Sequence, residues 1–302
     1  MENRRGSLLM TAAMAGFAVE DMLLKSAAAS VPVGLILMIF GSGGMLAFAV
    51  LTWRRGQRVL HPAILSRPIL LRAVFEVAGR LFYTLAIAFT PLSSASAILQ
   101  ATPLVVVGGA ALIFGERVGW RRWSAICFGF VGVLIILRPG LEGFTPASLL
   151  AVAGMIGFAG RDLATRAAPP VLSNLQLGIY GFAMMVPTGA VLLAFTGGAV
   201  WPAPLAAGQL AAATAVGVAA YYALTAAMRI GEVSVVTPFR YTRLVFALIL
   251  GVAVFAETPD FATLLGSAVI VATGIYTLMR SARPDGAANQ PAKASRQTID
   301  RE

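Results

Sequence analysis

The sequence predicts an all-α integral membrane protein of ten transmembrane helices, arranged as two inverted five-helix repeats. Three observations predict it. Hydrophobic residues make up 58% of the 302 positions and charged residues only 12%, whereas soluble domains carry about 25% charged residues, and a soluble fold of this length could not bury so much apolar surface. Ten apolar segments each approach the roughly 20 residues that a helix needs to cross the hydrocarbon core. The second half of the chain also repeats the first at a constant offset.

The ten segments run over about 7–26, 32–53, 68–90, 93–114, 120–138, 146–166, 172–196, 205–229, 233–256 and 260–280. Between them lie Val31-Pro32, Thr90-Pro91, Arg138-Pro139-Gly140, Pro169-Pro170, Trp201-Pro202 and Thr258-Pro259, which end helices by removing a donor or freeing the backbone. The first segment superficially resembles a secretory signal, with Arg4 and Arg5 before an apolar stretch and Ser26-Ala27-Ala28-Ala29-Ser30 after it. Glu20, Asp21 and Lys25 inside it argue for a retained helix instead. Residues 283–302 have no apolar period and predict a disordered cytoplasmic tail.

Charge sets the orientation. With the N-terminus inside, the inner ends and loops hold Arg4, Arg5, Arg54, Arg55, Arg58, Arg67, Arg72, Arg117, Arg121, Arg122, Arg166 and Arg229, besides the cations of the tail. The outer ends hold only Lys25 and Arg138. This bias predicts a multi-pass protein of the cell (inner) membrane with both termini cytoplasmic. The net charge of +10 therefore marks membrane topology and not a nucleic-acid partner.

The repeat is explicit. Met14-Ala15-Gly16-Phe17-Ala18-Val19-Glu20-Asp21 matches Met155-Ile156-Gly157-Phe158-Ala159-Gly160-Arg161-Asp162; Lys25 matches Arg166 and Glu116 matches Glu257, all 141 residues apart. Residues 7–140 and 146–281 thus form the two repeats. Because five is odd, the second copy enters the membrane from the opposite side, the architecture behind alternating access.

The run Ala95–Glu116, with Thr102-Pro103 in its middle and Gly115-Glu116 at its end, and the Gly-rich run Gly129–Leu137 recur as Val235–Glu257 and Gly266–Leu278. In these runs the chain resembles the drug/metabolite transporter superfamily, EamA type, over nearly its whole length. The second half departs from the first where Leu244 stands for Pro103 and Ala256 for Gly115. The resemblance implies a secondary transporter, closest in feel to exporters of amino acids, with aromatic or other apolar amino acids the first expectation. Multidrug efflux or metabolite uptake on the same fold is the alternative, and an intramembrane enzyme or a scaffold subunit the reading outside transport.

Charged residues inside the membrane are costly and mark function. Glu76 and Arg80 lie i,i+4 on the third segment, and Arg240 and Arg243 lie on the ninth. They suit a site for a small anion or zwitterion: arginine forks hold a carboxylate, and Glu76 meets an ammonium or carries a proton. The opposing reading is that Glu76 and Arg80 neutralise each other. Phe17, Tyr83, Phe158 and Tyr222 are candidate cavity walls. Glu20, Asp21, Arg161 and Asp162 are candidate gates, one set per repeat, or else belong to anchoring pairs, Asp21 with Lys25 and Asp162 with Arg166. Most other aromatics, Met155, Met184, Met185 and the single cysteine, Cys127, read as packing; Trp53, Trp120, Trp123 and Trp201 read as interfacial belts.

What is missing weighs against an enzyme. The chain has no Gly-x-x-x-x-Gly-Lys-Ser/Thr loop to hold ATP. Its one histidine, His61, falls in a predicted loop, so neither a buried histidine base nor a histidine-ligated metal is available. No cofactor or metal is called for. The partners are the lipid bilayer and a small-molecule substrate, with proton coupling compatible and a monomer or homodimer equally so.

Overall fold

The computed structural model describes residues 2–116, 118–137, 147–230 and 232–281. Arg117, Arg138, Gly140 and the tail from 283 lie outside the described residues. Ten membrane segments are present, close to the predicted bounds: α1 (Glu2–Ala28), α2 (Val33–Arg54), α3 (Arg67–Phe89), α4 (Leu92–Leu99 and Thr102–Phe114), α5 (Trp120–Leu137), α6 (Ser148–Arg166), α7 (Asn174–Ala183 and Met185–Thr196), α8 (Pro204–Ile230), α9 (Val233–Val236, a 3-10 stretch Thr237–Tyr241, and Thr242–Phe255) and α10 (Phe261–Ser281). Four of them, α1, α2, α7 and α8, are long and apolar enough to span a membrane by length and composition alone. Charge on α3 and α6, and the breaks in α4 and α9, dilute the same signal elsewhere.

The packing obeys the repeat. α1 packs on α8, and its counterpart α6 packs on α3; α1 also meets α9, as α6 meets α4; α2 faces α7, and α5 faces α10. Adding five to both members of a pair yields another observed pair, the signature of a pseudo-two-fold axis between inverted halves. Small residues make the crossings possible. A Cβ on Gly157 would lie 2.3 Å from the Gly79 nitrogen, and one on Gly16 would lie 2.8 Å from the Ala220 Cβ. Gly16 and Gly157 are repeat partners, as are Gly79 and Ala220. Lipid offers helices no hydrophobic drive to associate, so such close backbone approach supplies the dispersion contact.

The bundle is apolar on its outer surface as well as in its core. Leu46, Val74, Phe89, Leu112, Phe195 and Ile249 are exposed, as helices facing lipid require. Trp53, Trp120 and Trp201 are exposed at segment ends, as interfacial residues should be. Cys127 corrects the packing expectation: it is exposed and lines an outward groove with Trp123 and Phe128. Neighbouring positions on α5 divide between core and lipid, and Ile126 takes the buried one.

The fourth helix of each half is interrupted at related depth. In α4 the turn at Gln100-Ala101 separates two helical pieces, and the Thr102 hydroxyl donates to the Leu99 carbonyl across it. In α9 the break is the 3-10 stretch. Both helices also end alike. Gly115 has φ +66° and its repeat partner Ala256 has φ +52°, each amide bonding five residues back, to Ala110 and Gly251. A left-handed alanine is disfavoured by roughly 1–2 kcal/mol, so Ala256→Gly is expected to raise stability by about 1 kcal/mol, read as a higher melting temperature in detergent. An unchanged or lower melting temperature would mean the position carries no strain.

Candidate functional site

Among the described residues, nine charged side chains, none more than 5% exposed, meet at the centre of the bundle: Glu20 and Asp21 from α1, Arg72, Glu76 and Arg80 from α3, Arg161 and Asp162 from α6, and Arg240 and Arg243 from α9. α3 contributes a stripe because residues four apart share a helix face. α9 contributes its pair at and just after the 3-10 stretch.

The charges form two linked groups. In the first, Arg80 donates to Glu20. Arg243 grips Asp21 through Nε at 3.2 Å and through Nη2, and the Tyr83 hydroxyl donates to the same carboxylate at 3.3 Å while lying 3.2 Å from Ser96 Oγ. The Arg243 guanidinium lies 5.2 Å from both the Phe17 and Tyr83 ring centres. Arg80 lies 5.1 Å from Phe40 and 5.8 Å from Phe158. In the second group Asp162 is shared. Arg161 donates to it through Nε at 3.0 Å and Nη2 at 2.9 Å, and Arg240 donates to its other oxygen. Arg161 also lies 3.5 Å from Glu76 Oε1, and the Tyr221 hydroxyl donates to Glu76 Oε2. Arg72 donates to Tyr221 Oη at 2.6 Å, Thr165 Oγ1 at 2.9 Å and the Leu177 carbonyl at 3.0 Å.

Polar groups are left over. Glu20 Oε2, Asp21 Oδ1, Glu76 Oε1, Arg80 Nε, Gln100 Oε1 and Thr237 Oγ1 are buried without a hydrogen-bond partner. Gln100 sits at the break in α4 and Thr237 at the break in α9. A buried polar group left unmatched costs about 1–3 kcal/mol, and several together at mid-bundle make a surface prepared for a polar guest.

Both ends of the bundle are tied. At one, Lys25 Nζ lies 3.7 Å from Glu257 Oε1 and donates to the Thr90 carbonyl at 3.0 Å, while the Leu92 amide donates to the same glutamate oxygen at 3.1 Å. At the other, Arg229 donates to the Leu172 carbonyl and to Asn174 Oδ1, both at 2.8 Å, and Arg166 donates to the Arg229 carbonyl at 3.4 Å. His61 belongs to this second end: its Nδ1 accepts from the Ala63 amide, and its own amide donates to the Tyr180 hydroxyl.

These contacts bring together nearly all the residues singled out from the sequence and rearrange their partnerships. Glu76 and Arg80 do not neutralise each other; each finds its partner on another helix. The anchoring pairs are also corrected. Asp21 is bonded to Arg243 and Lys25 to Glu257, while Asp162 holds Arg161 and Arg240. Glu20, Asp21, Arg161 and Asp162 are not set apart as two terminal gates; they share the centre with Glu76, Arg80, Arg240 and Arg243. Phe17, Tyr83 and Phe158 line it. Tyr222 does not: it faces a cavity at the Arg229 end, and Tyr221 takes the central place. Arg72, assigned from the sequence to a cytoplasmic end, is 1% exposed inside the network. Its spacing of four from Glu76, and eight from Arg80, was the available signal.

The chain matches the family model of the EamA-like transporter family over residues 4–138 and again over 145–280. It is 31% identical to a riboflavin transporter of Vibrio cholerae over 67% of this chain and 68% of that one. It is 28% identical to the pseudopaline exporter CntI of Pseudomonas aeruginosa over 89% of this chain and 94% of that one. A solved crystal structure superposes with a TM-score of 0.71 at 21% identity, covering 91% of this chain and 96% of the other, a likeness of fold.

Proposed function

This chain belongs to the EamA-like transporter family, and we propose that it moves small carboxylate-bearing metabolites, amino acids among them, outward across the cytoplasmic membrane by alternating access. The observation that carries the reading is the central surface of buried charges and unpartnered polar atoms beside two broken helices. Discontinuous helices at mid-depth are where inverted-repeat carriers hold their cargo. Arg243, Arg240 and Arg80 are assigned to the carboxylate, and Glu76 to an ammonium. An aromatic side chain on the cargo has less in its favour, because Phe17, Phe40, Phe158 and Tyr83 already lie against guanidinium groups. The exporter of Pseudomonas aeruginosa supports the outward direction, which transport assays in vesicles of defined sidedness would reverse if uptake were faster.

The test of the site compares Arg243→Lys with Glu76→Gln in proteoliposomes. Lysine keeps the charge of arginine but loses its fork. Flux of a carboxylate-bearing amino acid should fall at least tenfold in each, about 1.4 kcal/mol, while melting stays within a few degrees of the parent in Arg243→Lys, which keeps the buried charge. Early melting with normal flux from the folded fraction would make these charges structural only.

The gate is assigned to the tied ends, with Glu20, Asp21, Arg161 and Asp162 transmitting cargo occupancy to them. In a Cys127→Ser background, Lys25→Gln should raise thiol labelling of a cysteine at Ser96 from the outside and lower it from the inside. Reporter cysteines at Gly198 and Pro170 fix the two faces, Gly198 outside and Pro170 inside; a reversed pair would overturn the cytoplasmic termini. Labelling that does not respond to Lys25→Gln would make the Lys25–Glu257 pair an anchor and not a gate.

A further inference from the structure

We propose that the cargo is a net anion, carrying at least one more negative charge than positive, and that it enters or leaves past Arg229 and Arg55. The inference rests on the carrier reading above and narrows it.

The first observation is a charge count with a one-sided bound. Among the described residues, five arginines meet four carboxylates in the buried centre. Arginine stays protonated in proteins. Protonating any of the carboxylates adds positive charge, and a tyrosine hydroxyl is ordinarily neutral near pH 7. With all four carboxylates ionised the centre holds one excess positive charge, and any other state holds more.

The excess has an address. Arg80, Arg243, Arg240 and Arg161 each contact a carboxylate. Arg72 contacts a hydroxyl, a carbonyl and the Tyr221 phenol, and reaches Glu76 only through that phenol. An isolated buried cation is unfavourable, and a neutral or zwitterionic guest would leave it so. A guest with one surplus negative charge removes the imbalance.

The second observation is independent of that count. At the Arg229 end of the bundle lies a cavity of about 290 Å³ lined by Arg55, Gln57, Asn174, Tyr222 and Arg229, among others, with no carboxylate among its lining residues. It shares two elements with the central group. Tyr222 lines the cavity while adjacent Tyr221 bonds Arg72, and Leu172 to Leu175 line it one turn before the Leu177 carbonyl that Arg72 holds. Arg55 and Arg229 thus continue the positive line from Arg72 to the surface, and a cleft of one sign concentrates ligands of the other.

The experiment uses pairs of probes matched in shape and differing by one charged group: glutamate against glutamine, and glycerol 3-phosphate against glycerol, in proteoliposomes. The wild type should move the acidic member of at least one pair about tenfold faster or more. Arg72→Gln, which can still bond Thr165 and Leu177, should collapse that preference about tenfold, toward the neutral member. Arg55→Gln and Arg229→Gln should raise KM for the acid from that face alone and weaken the dependence on ionic strength. At constant ionic strength, acetate or inorganic phosphate should raise the melting temperature of the wild type more than that of Arg72→Gln. Faster flux of glutamine or glycerol than of the acids in the wild type overturns the proposal. So does an unchanged preference in well-folded Arg72→Gln, or in the two cavity variants should Arg72→Gln not fold. If folded wild type moves none of the four probes and none of a broad metabolite mixture, the carrier reading itself fails, and this inference falls with it.

Discussion

Asp162→Asn is expected to destabilise the protein by about 3–5 kcal/mol and to abolish flux. Asp162 is the shared acceptor of the second group, bonding Arg161 by two donors and Arg240 by a third contact. Asparagine keeps the shape and one acceptor oxygen but removes the charge. Two buried guanidinium groups then face each other with only Glu76 to balance them. The low dielectric that strengthens the native pairs makes the unbalanced cations equally costly. Removing one of them should relieve part of the loss, so Asp162→Asn/Arg240→Gln is expected to melt above Asp162→Asn alone. The measurement is thermal unfolding in detergent, with proteoliposome flux beside it. A single mutant that melts with the parent, or a double mutant less stable than the single, would mean that the Arg240–Asp162 pair does not carry the charge balance.

Gly157→Val should be as damaging through sterics alone. A Cβ at Gly157 would fall 2.3 Å from the Gly79 nitrogen and 2.6 Å from its Cα. Both are backbone atoms, so no side chain can turn away, and α3 and α6 must separate. That separation would pull Glu76 from Arg161 and Arg72 from Thr165, coupling a packing change to the loss of a buried ion pair and a buried hydrogen bond. A loss of more than about 4 kcal/mol, or failure to accumulate folded protein, is expected. The control is Gly208→Val on α8, where an added Cβ meets nothing within 4 Å; it should shift stability by no more than about 0.5 kcal/mol. Near-equal melting of the two variants would show that the α3–α6 crossing tolerates a wider spacing than its glycines indicate.

The sequence by itself determined the ten segments, their ends and the relation between the halves. Each of these depends on local or periodic information: the length of an apolar run, a proline or glycine at its end, and the constant offset that pairs Gly16 with Gly157 and Asp21 with Asp162. The residue types of the centre were legible for the same reason, since a charge inside an apolar run is conspicuous wherever it points. Even the departure at Ala256 was visible before its left-handed backbone was.

Tertiary structure alone decided who pairs with whom. Within one helix, Glu76 with Arg80 and Asp21 with Lys25 are reasonable partners, worth about 0.2–0.5 kcal/mol on an exposed face. In a buried centre a charge must be matched much more closely, and helix crossings offer better acceptors. So Arg80 reaches Glu20, Arg243 reaches Asp21, 222 residues away, and Arg240 reaches Asp162. The choice between Tyr221 and Tyr222 is of the same kind. Consecutive residues on a helix point about 100° apart, and the rotation of α8 against its neighbours, which no local pattern encodes, turns Tyr221 toward Glu76 and Arg72 and leaves Tyr222 at the cavity beside Arg229.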